Sequence, residues 1–193
     1  MISELILKNR SYRRFYQDTA INLDTLRELV NLARLSASAA NLQPLNYIIS
    51  CDPQRNALIF PNLAWAGYLK DWPGPGEGER PSAYIIILED TKIDSAFTKY
   101  DCGIACQSML LGATESGLGG CIIYTLDRKK LQKALTIPDR YEIHLVLALG
   151  NPKEKIQIEP VGPDGDIKYW RDEQAVHHVP KRDLDDIIIA QKG

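Results

Sequence analysis

Between Asp101 and Ser116 the chain carries Ile104, Ala105, Cys106, Met109, Leu110, Leu111 and Ala113. At about 3.6 residues per turn these positions fall on almost every side of a helix and leave it no polar face. Such a helix is stable only when surrounded. It must run through the centre of a fold or lie across the interface between two copies of the chain. Gly117 is its natural stop, because glycine accepts the left-handed conformation that ends helices. With 193 residues, 45% of them hydrophobic, the chain can enclose one such helix in a sizeable core. No linker divides it, and residues 1–193 are expected to form a single domain.

Around that helix the periodicities alternate. Ile2, Leu5 and Ile6 predict a short first helix with Ser3 as cap. Leu26, Leu29, Val30 and Ala33 follow the i, i+3, i+4, i+7 rule after Asn22 and Asp24, two candidate caps. The small-residue run from Ser36 to Gln43 has no amphipathic pattern, and Pro44 biases Gln43 away from helical geometry, so a turn is expected there. Tyr47–Ser50, Ala83–Leu88, Cys121–Tyr124 and Ile143–Leu149 read as strands, the last closed by Gly150-Asn-Pro152. Asp127 caps a short helix running to Leu135. Residues 62–81 hold Pro73, Pro75 and Pro81 with two of the three tryptophans, and predict an exposed, mobile loop. Residues 160–193 form a C-terminal extension that opens with a Gly/Pro-rich turn. Strands alternating with helices indicate an α/β or α+β sheet.

Several functions are disfavoured by what is missing. A net charge of −2 gives no general attraction to nucleic acid or to membrane surfaces. The apolar runs are too short to span a bilayer, and MISELILKNRSYRRF turns polar too early for a secretory h-region, so a cytoplasmic protein is expected. There is no GxGxxG, Walker or GxSxG motif. Cys102 and Cys106 share a helix face, but no second ligand pair with metal-site spacing follows them. The four cysteines read as packing thiols and no metal is expected. His144 lies inside a core strand and reads as structural.

What remains is a set of anion-binding and amide-rich elements. Arg10, Arg13 and Arg14 follow the first helix, where they can hold a phosphate or complement the helix dipole. A second basic cluster holds His177, His178, Lys181 and Arg182. Ser38, Asn41 and Gln43 are polar groups on a small-residue turn, suited to a flat ligand or to simple capping. Gly117, Gly119 and Gly120 allow backbone N–H groups to point at a ligand, or only make a turn.

Each signal is weak, but their order is specific. Asn9-Arg-Ser-Tyr-Arg-Arg-Phe15, Ala37-Ser-Ala-Ala-Asn-Leu-Gln-Pro44, the helix from Asp101 ending in Gly117-Leu-Gly-Gly120, Ile137-Pro138 through Gly150-Asn-Pro152, and His177-His-Val-Pro-Lys-Arg182 follow one another as in the nitroreductase family. The chain resembles that family from about residue 5 to residue 188. Asn9 stands where many members carry a first arginine, and Ala37 replaces the usual proline.

The resemblance implies an α+β nitroreductase-like fold: a central, mostly antiparallel sheet flanked by helices, in an intertwined homodimer with two FMN sites at the interface. It implies that Arg10, Ser11 and Arg13, with Lys181 or Arg182, hold the phosphate. Ser38, Asn41 and Gln43 of the partner would address the isoalloxazine, and the Gly119–Gly120 backbone would donate near flavin N5. Trp65, Tyr68 and Trp72 would stack on substrate, or pack the loop to the body. No side chain is needed as catalyst, since FMN carries the chemistry. The implied reaction is ping-pong, from NADH or NADPH to a nitroaromatic, quinone or similar flat acceptor. A flavin carrier or sensor without turnover, and specialised dehalogenase, thiazoline oxidase or flavin-fragmenting types, remain the alternatives.

Overall fold

The computed structural model describes residues 1–191. Along the chain run α1 (Ile2–Lys8), β1 (Phe15–Tyr16), α2 (Leu23–Leu35), β2 (Leu45–Ser50), α3 (Pro53–Ile59), β3 (Ala83–Asp90) and α4 (Thr98–Glu115). Then follow β4 (Gly119–Ile123), α5 (Arg128–Ala134), β5 (Tyr141–Pro152), β6 (Ile156–Pro160), β7 (Trp170–Arg171), β8 (His177–Lys181) and α6 (Leu184–Ile187).

Five strands form an antiparallel sheet in the order β1-β5-β3-β2, with β4 also paired to β5. Residues Ala83 to Leu88 of β3 are all buried, because strands flank them on both sides and helices cover both faces. On one face α2 and α4 pack through Leu26, Leu29, Cys106 and Met109 against Ile85, Ile87, Leu147 and Leu149. On the other, Ile59 of α3 and Leu131 of α5 meet Tyr84, Ile86, Val146 and Ala148. The fold is therefore α+β, as the resemblance implies. Among the described residues, no helix is long and apolar enough to cross a membrane.

Local signals set most of the boundaries. The Asn22 side chain accepts the Thr25 N–H at 2.7 Å and Asp127 accepts that of Lys130 at 3.1 Å, each capping a helix. Gly117 ends α4 with φ at 74°. Ser3 does not cap α1; the cap position is Met1, and Ser3 lies inside the helix. Helix α4 is buried on the side facing the sheet and open on the other, so the chain alone encloses only part of it. Tyr100 is 70% and Ile104 41% exposed, with Gln107 exposed on the same strip, so one face of the central helix is bare. Cys102 and Cys106 lie on its buried side, where burial pushes both thiols up to about 12, which suits packing groups.

Two features have no counterpart in the sequence reading. Asp52 and Pro53 start α3, with the Asp52 carboxylate accepting the Arg55 N–H at 2.9 Å. In the C-terminal extension β6 and β8 pair in parallel and β7 adds antiparallel to β8, forming a second sheet of three strands. Residues 63–82 hold no helix or strand. Their C-terminal end is tied to the body, because Glu79 receives Arg14 and the Gln17 side chain accepts the Gly78 and Arg80 N–H groups.

Candidate functional site

The chain leaving α1 turns so that Arg10, Ser11 and Arg13 line a cavity of about 260 Å³. Lys181, at the end of β8, reaches the same cavity from the second sheet. No carboxylate lines it, and among the described residues none of the three cations forms an ion pair. Three cations converging without a counter-ion make a site for an anion, and Ser11 adds a hydroxyl.

The two arginines are held in place by protein contacts. Arg10 donates from Nε to the Asn9 carbonyl at 2.6 Å and from Nη2 to the Ile6 carbonyl at 2.9 Å. It thus complements the end of α1, as one of its two readings expects, and also borders the cavity. Arg13 lies over the Tyr169 ring, 4.7 Å from its centroid, and donates from Nη1 to the Ser11 carbonyl at 3.0 Å. Its Nη1 is also 3.2 Å from Nε2 of His177, which therefore accepts there and stays neutral. Burial pulls His177 down to about 4, against the opposing pull of the Glu154 carboxylate. Glu154, itself buried, accepts the Arg13 backbone N–H at 2.9 Å and Arg171 at 2.6 Å. Tyr169 and Glu154 are absent from the sequence motifs, and His177 stands there only as part of a basic cluster; the pairing of β8 with β6 and β7 brings them to the cavity.

A second cavity, of about 290 Å³, adjoins the first and shares Arg13 and Ile122 with it. Trp65 and residues Cys121 to Thr125 form its walls. Among the described residues, strand β4 pairs with β5 alone; its outer edge is bridged by Ser11 at Gly120, and the chain beyond it is bridged by Leu63 at Leu126. Between those bridges a strand edge with free backbone groups borders an apolar slot. Unpaired edges of that sort were not legible from the glycines that precede them.

Some expected residues take other roles. Gly119 and Gly120 line neither cavity. A side chain at Gly119 would meet the Tyr12 ring at 2.5 Å, one at Gly120 would meet Leu110 at 2.7 Å, and the Gly120 carbonyl already accepts the Tyr12 N–H. Close packing requires these glycines, and the cavity wall begins one residue later. Arg182 turns away and donates to the Asp186 carbonyl at 2.7 Å. Arg14 faces Glu79 with two hydrogen bonds, and His178 stacks on Trp170 between Glu159 and Asp172. Tyr68 and Trp72 line a separate open cleft, where Tyr68 packs against Tyr169 with the rings tilted and centroids 4.8 Å apart, and Arg171 covers Trp72 at 4.7 Å.

The turn holding Ser38, Asn41 and Gln43 shares no wall with the anion cavity. Ala40, Asn41 and Gln43 all have positive φ, of 50°, 54° and 52°. A strained run of that kind persists only when its surroundings fix it. Asp101 does so, accepting the Ser38 hydroxyl at 2.6 Å and the Ala39 N–H at 3.0 Å, while the Ser38 oxygen accepts the Gln43 N–H at 3.0 Å. Asn41 and Gln43 are left exposed at the tip.

The antiparallel sheet thus carries a cationic cavity beside an apolar slot along the edge of β4. The chain belongs to the nitroreductase family, whose model matches residues 6–73 and 75–151, and it is an oxidoreductase of that kind. A protein of Archaeoglobus fulgidus, provisionally named an NADH dehydrogenase/NAD(P)H nitroreductase, is 26% identical over 163 residues, covering 79% of this chain and 86% of its own. Among solved structures, a nitroreductase family protein of Clostridium novyi superposes with a TM-score of 0.66 at 25% identity, covering 79% and 86% of the two chains. An FMN-dependent nitroreductase of Clostridium difficile gives 0.61 at 24%, covering 80% and 89%. The matched region ends at Asn151, just before the C-terminal segment that supplies Tyr169, His177 and Lys181.

Proposed function

We propose that the chain binds FMN and carries reducing equivalents from NADH or NADPH to a flat acceptor such as a nitroaromatic or a quinone, in two half-reactions at one site. The observation that carries this reading is the convergence of Arg10, Arg13 and Lys181 on a cavity without a carboxylate, opening into an apolar slot beside a free strand edge. The match to the cofactor is one of chemistry: fork-shaped donors for a phosphate, and Ile122 with Trp65 for a ring. The names carried by the archaeal relative and the clostridial structure point the same way.

On this reading Arg10, Ser11, Arg13 and Lys181 hold the phosphate, and Ile122 supports the ring. Backbone N–H groups on the outer edge of Cys121–Thr125 donate to its polar rim, in place of Gly119–Gly120. Bound FMN supplies hydride acceptance and its return to a substrate. The chain needs no titrating catalyst, and fixed donors at the ring edge stabilise the charge that develops there. Trp65 walls the slot from the irregular segment, while Tyr68 and Trp72 offer outer stacking surfaces to the acceptor. Ser38, Asn41 and Gln43 complete the site from a second copy. The bare strip of Tyr100 and Ile104 on α4, with Leu32 and Leu35 of α2 also exposed, supplies the apolar contact for a homodimer. We place the protein in the cytoplasm, in keeping with four free thiols.

The test is an absorption spectrum of the purified protein, then anaerobic addition of NADH and NADPH in turn. Flavin bands should bleach with one of them and return with a nitroaromatic or quinone. Bands that never bleach would indicate a carrier. A colourless protein that also refuses added FMN would overturn the proposal.

A further inference from the structure

On the face of the sheet that α4 covers, Glu89 of β3 and Glu142 of β5 are direct cross-strand partners. Like charges opposed across an antiparallel ladder are destabilising unless a cation lies between them. Strand β5 delivers a nitrogen ligand to that place through an irregularity. Pairing passes from Ile87↔Leu145 to Leu88↔Ile143, so His144 is an extra residue in β5, a β-bulge. The bulge reverses the alternation of the strand. Leu145, Leu147 and Leu149 pack on the α4 side, whereas Ile143, Val146 and Ala148 pack on the other. Glu142 and His144 thereby both join Glu89 on one face.

Ligand atoms of the three side chains lie within 4.8 Å of one another, and His144 Nε2 is 2.5 Å from Glu89 Oε2. Thr98, in the first turn of α4, donates its hydroxyl to the other Glu89 oxygen at 2.8 Å and so fixes that carboxylate. Glu142 is exposed, and among the described residues its carboxylate has no hydrogen bond or ion pair. A free acceptor therefore stands directly over a carboxylate and an imidazole already in contact.

We propose that Glu89, Glu142 and His144 form a binding site for a divalent ion of the zinc type. Bonds of about 2.1 Å in a tetrahedral arrangement separate neighbouring ligand atoms by roughly 3.4 Å. Reaching that size takes two small movements: the exposed Glu142 side chain rotates inward, and His144 Nε2 gives up its 2.5 Å contact with Glu89 and retreats by about 1 Å as the ion takes the place of the shared proton. An imidazole with two carboxylates suits zinc or a similar transition ion, whereas magnesium and calcium favour all-oxygen sets. Three protein ligands leave a fourth position for water. The ion would join β3 to β5 next to the first turn of α4. Asp101, one turn after Thr98, holds the 38–43 turn, so the ion would brace the end of the helix that carries it. The inference is independent of the flavin reading.

The test is isothermal titration of the chelator-stripped full chain with zinc chloride, with magnesium chloride as comparison. One Zn²⁺ should bind per chain, Mg²⁺ should give no comparable heat, and the melting temperature should rise by several degrees with zinc. Glu142→Gln, at an exposed and unbonded position, should leave the fold intact by circular dichroism and weaken zinc at least about tenfold. Absence of zinc binding would overturn the proposal. So would binding that both Glu142→Gln and His144→Gln leave unchanged, since the ion would then sit elsewhere, for example beside His178.

Discussion

Arg13 and Arg14 are sequence neighbours with the same side chain, and the structure gives them opposite tasks. Arg13 lines the anion cavity, with Nη2 and Nε free of protein partners among the described residues. One or two charge-assisted hydrogen bonds from these atoms to a phosphate contribute about 2–3 kcal/mol. Arg13→Ala should therefore raise the FMN Kd by about 30- to 150-fold. Arg14 donates from Nε and Nη2 to Glu79 at 2.7 and 2.6 Å, away from the cavity. Arg14→Ala leaves Glu79 with only Lys153, at 3.1 Å. That loss should be about 1–2 kcal/mol, or roughly 3–6 °C in Tm, with FMN affinity within about threefold of wild type. The pH dependence separates the two variants further. The hydrogen bond from Arg14 is the main cause that holds Glu79 down at about 2 instead of 4.5. Its contribution is complete above pH 4.5 and disappears as the pH falls toward 2. Arg14→Ala should shrink this acid-limb loss, and Arg13→Ala should leave it in place. The assays are fluorescence quenching of FMN by apoprotein and thermal unfolding between pH 2 and 7. Equal losses of FMN affinity in the two variants would refute the assignment of the cavity.

Three further outcomes follow from named contacts. Asp101→Asn removes a charged acceptor from the Ser38 hydroxyl and the Ala39 N–H, and should lower stability by about 1–3 kcal/mol and weaken FMN binding, read by denaturant unfolding and by titration. His177 sits at about 4 when folded and 6.5 when free, so the unfolded chain binds the extra proton. Stability should fall as the pH drops from 6.5 toward 4 and then level, and His177→Gln should flatten that part of the curve. Ile104→Asp places a charge on the bare strip of α4 and should yield monomers without bound flavin, seen by sedimentation and absorbance.

How much of this was legible in sequence depended on whether a signal was local. Asn22 and Asp127 cap helices with side chains that reach three residues ahead, and α4 announced its burial by composition. Helix α3 was missed because seven residues are too few for a periodicity to emerge, although Asp52-Pro53 is a start signal. The second sheet was missed because β6 and β8 pair across a long separation in parallel, and β7 has two residues. The same distinction runs through the site. Arg10, Ser11 and Arg13 could be named from order alone. That Arg14 turns away could not, because its direction is set by β1 pairing at the end of β5 and by Glu79 arriving from the irregular segment. Close packing accounts for glycine at 119 and 120, while the free edge beside them is a property of sheet order.

The anion cavity and the 38–43 turn, the two parts of the proposed site, are both tied to one helix. Asp101 of α4 holds the 38–43 turn, and Gln107, six residues on, lines the anion cavity, about 9 Å further along the axis. Between them on the exposed side stand Gly103 and Ile104. A two-fold pairing through that strip would set the turn of one chain over the cavity of the other, and complementation tests it. Arg13→Ala damages only the cavity. Asn41→Asp damages only the turn, since aspartate tolerates the left-handed backbone at Asn41 but repels an electron-rich ring edge. Neither variant should bind FMN well alone. Unfolded together and refolded at equal amounts, they give half mixed dimers, each with one intact site assembled from the undamaged cavity of one chain and the undamaged turn of the other. About a quarter of wild-type FMN capacity should return. If cavity and turn serve the same ligand within a single chain, every site in the mixture carries a defect, and no capacity returns.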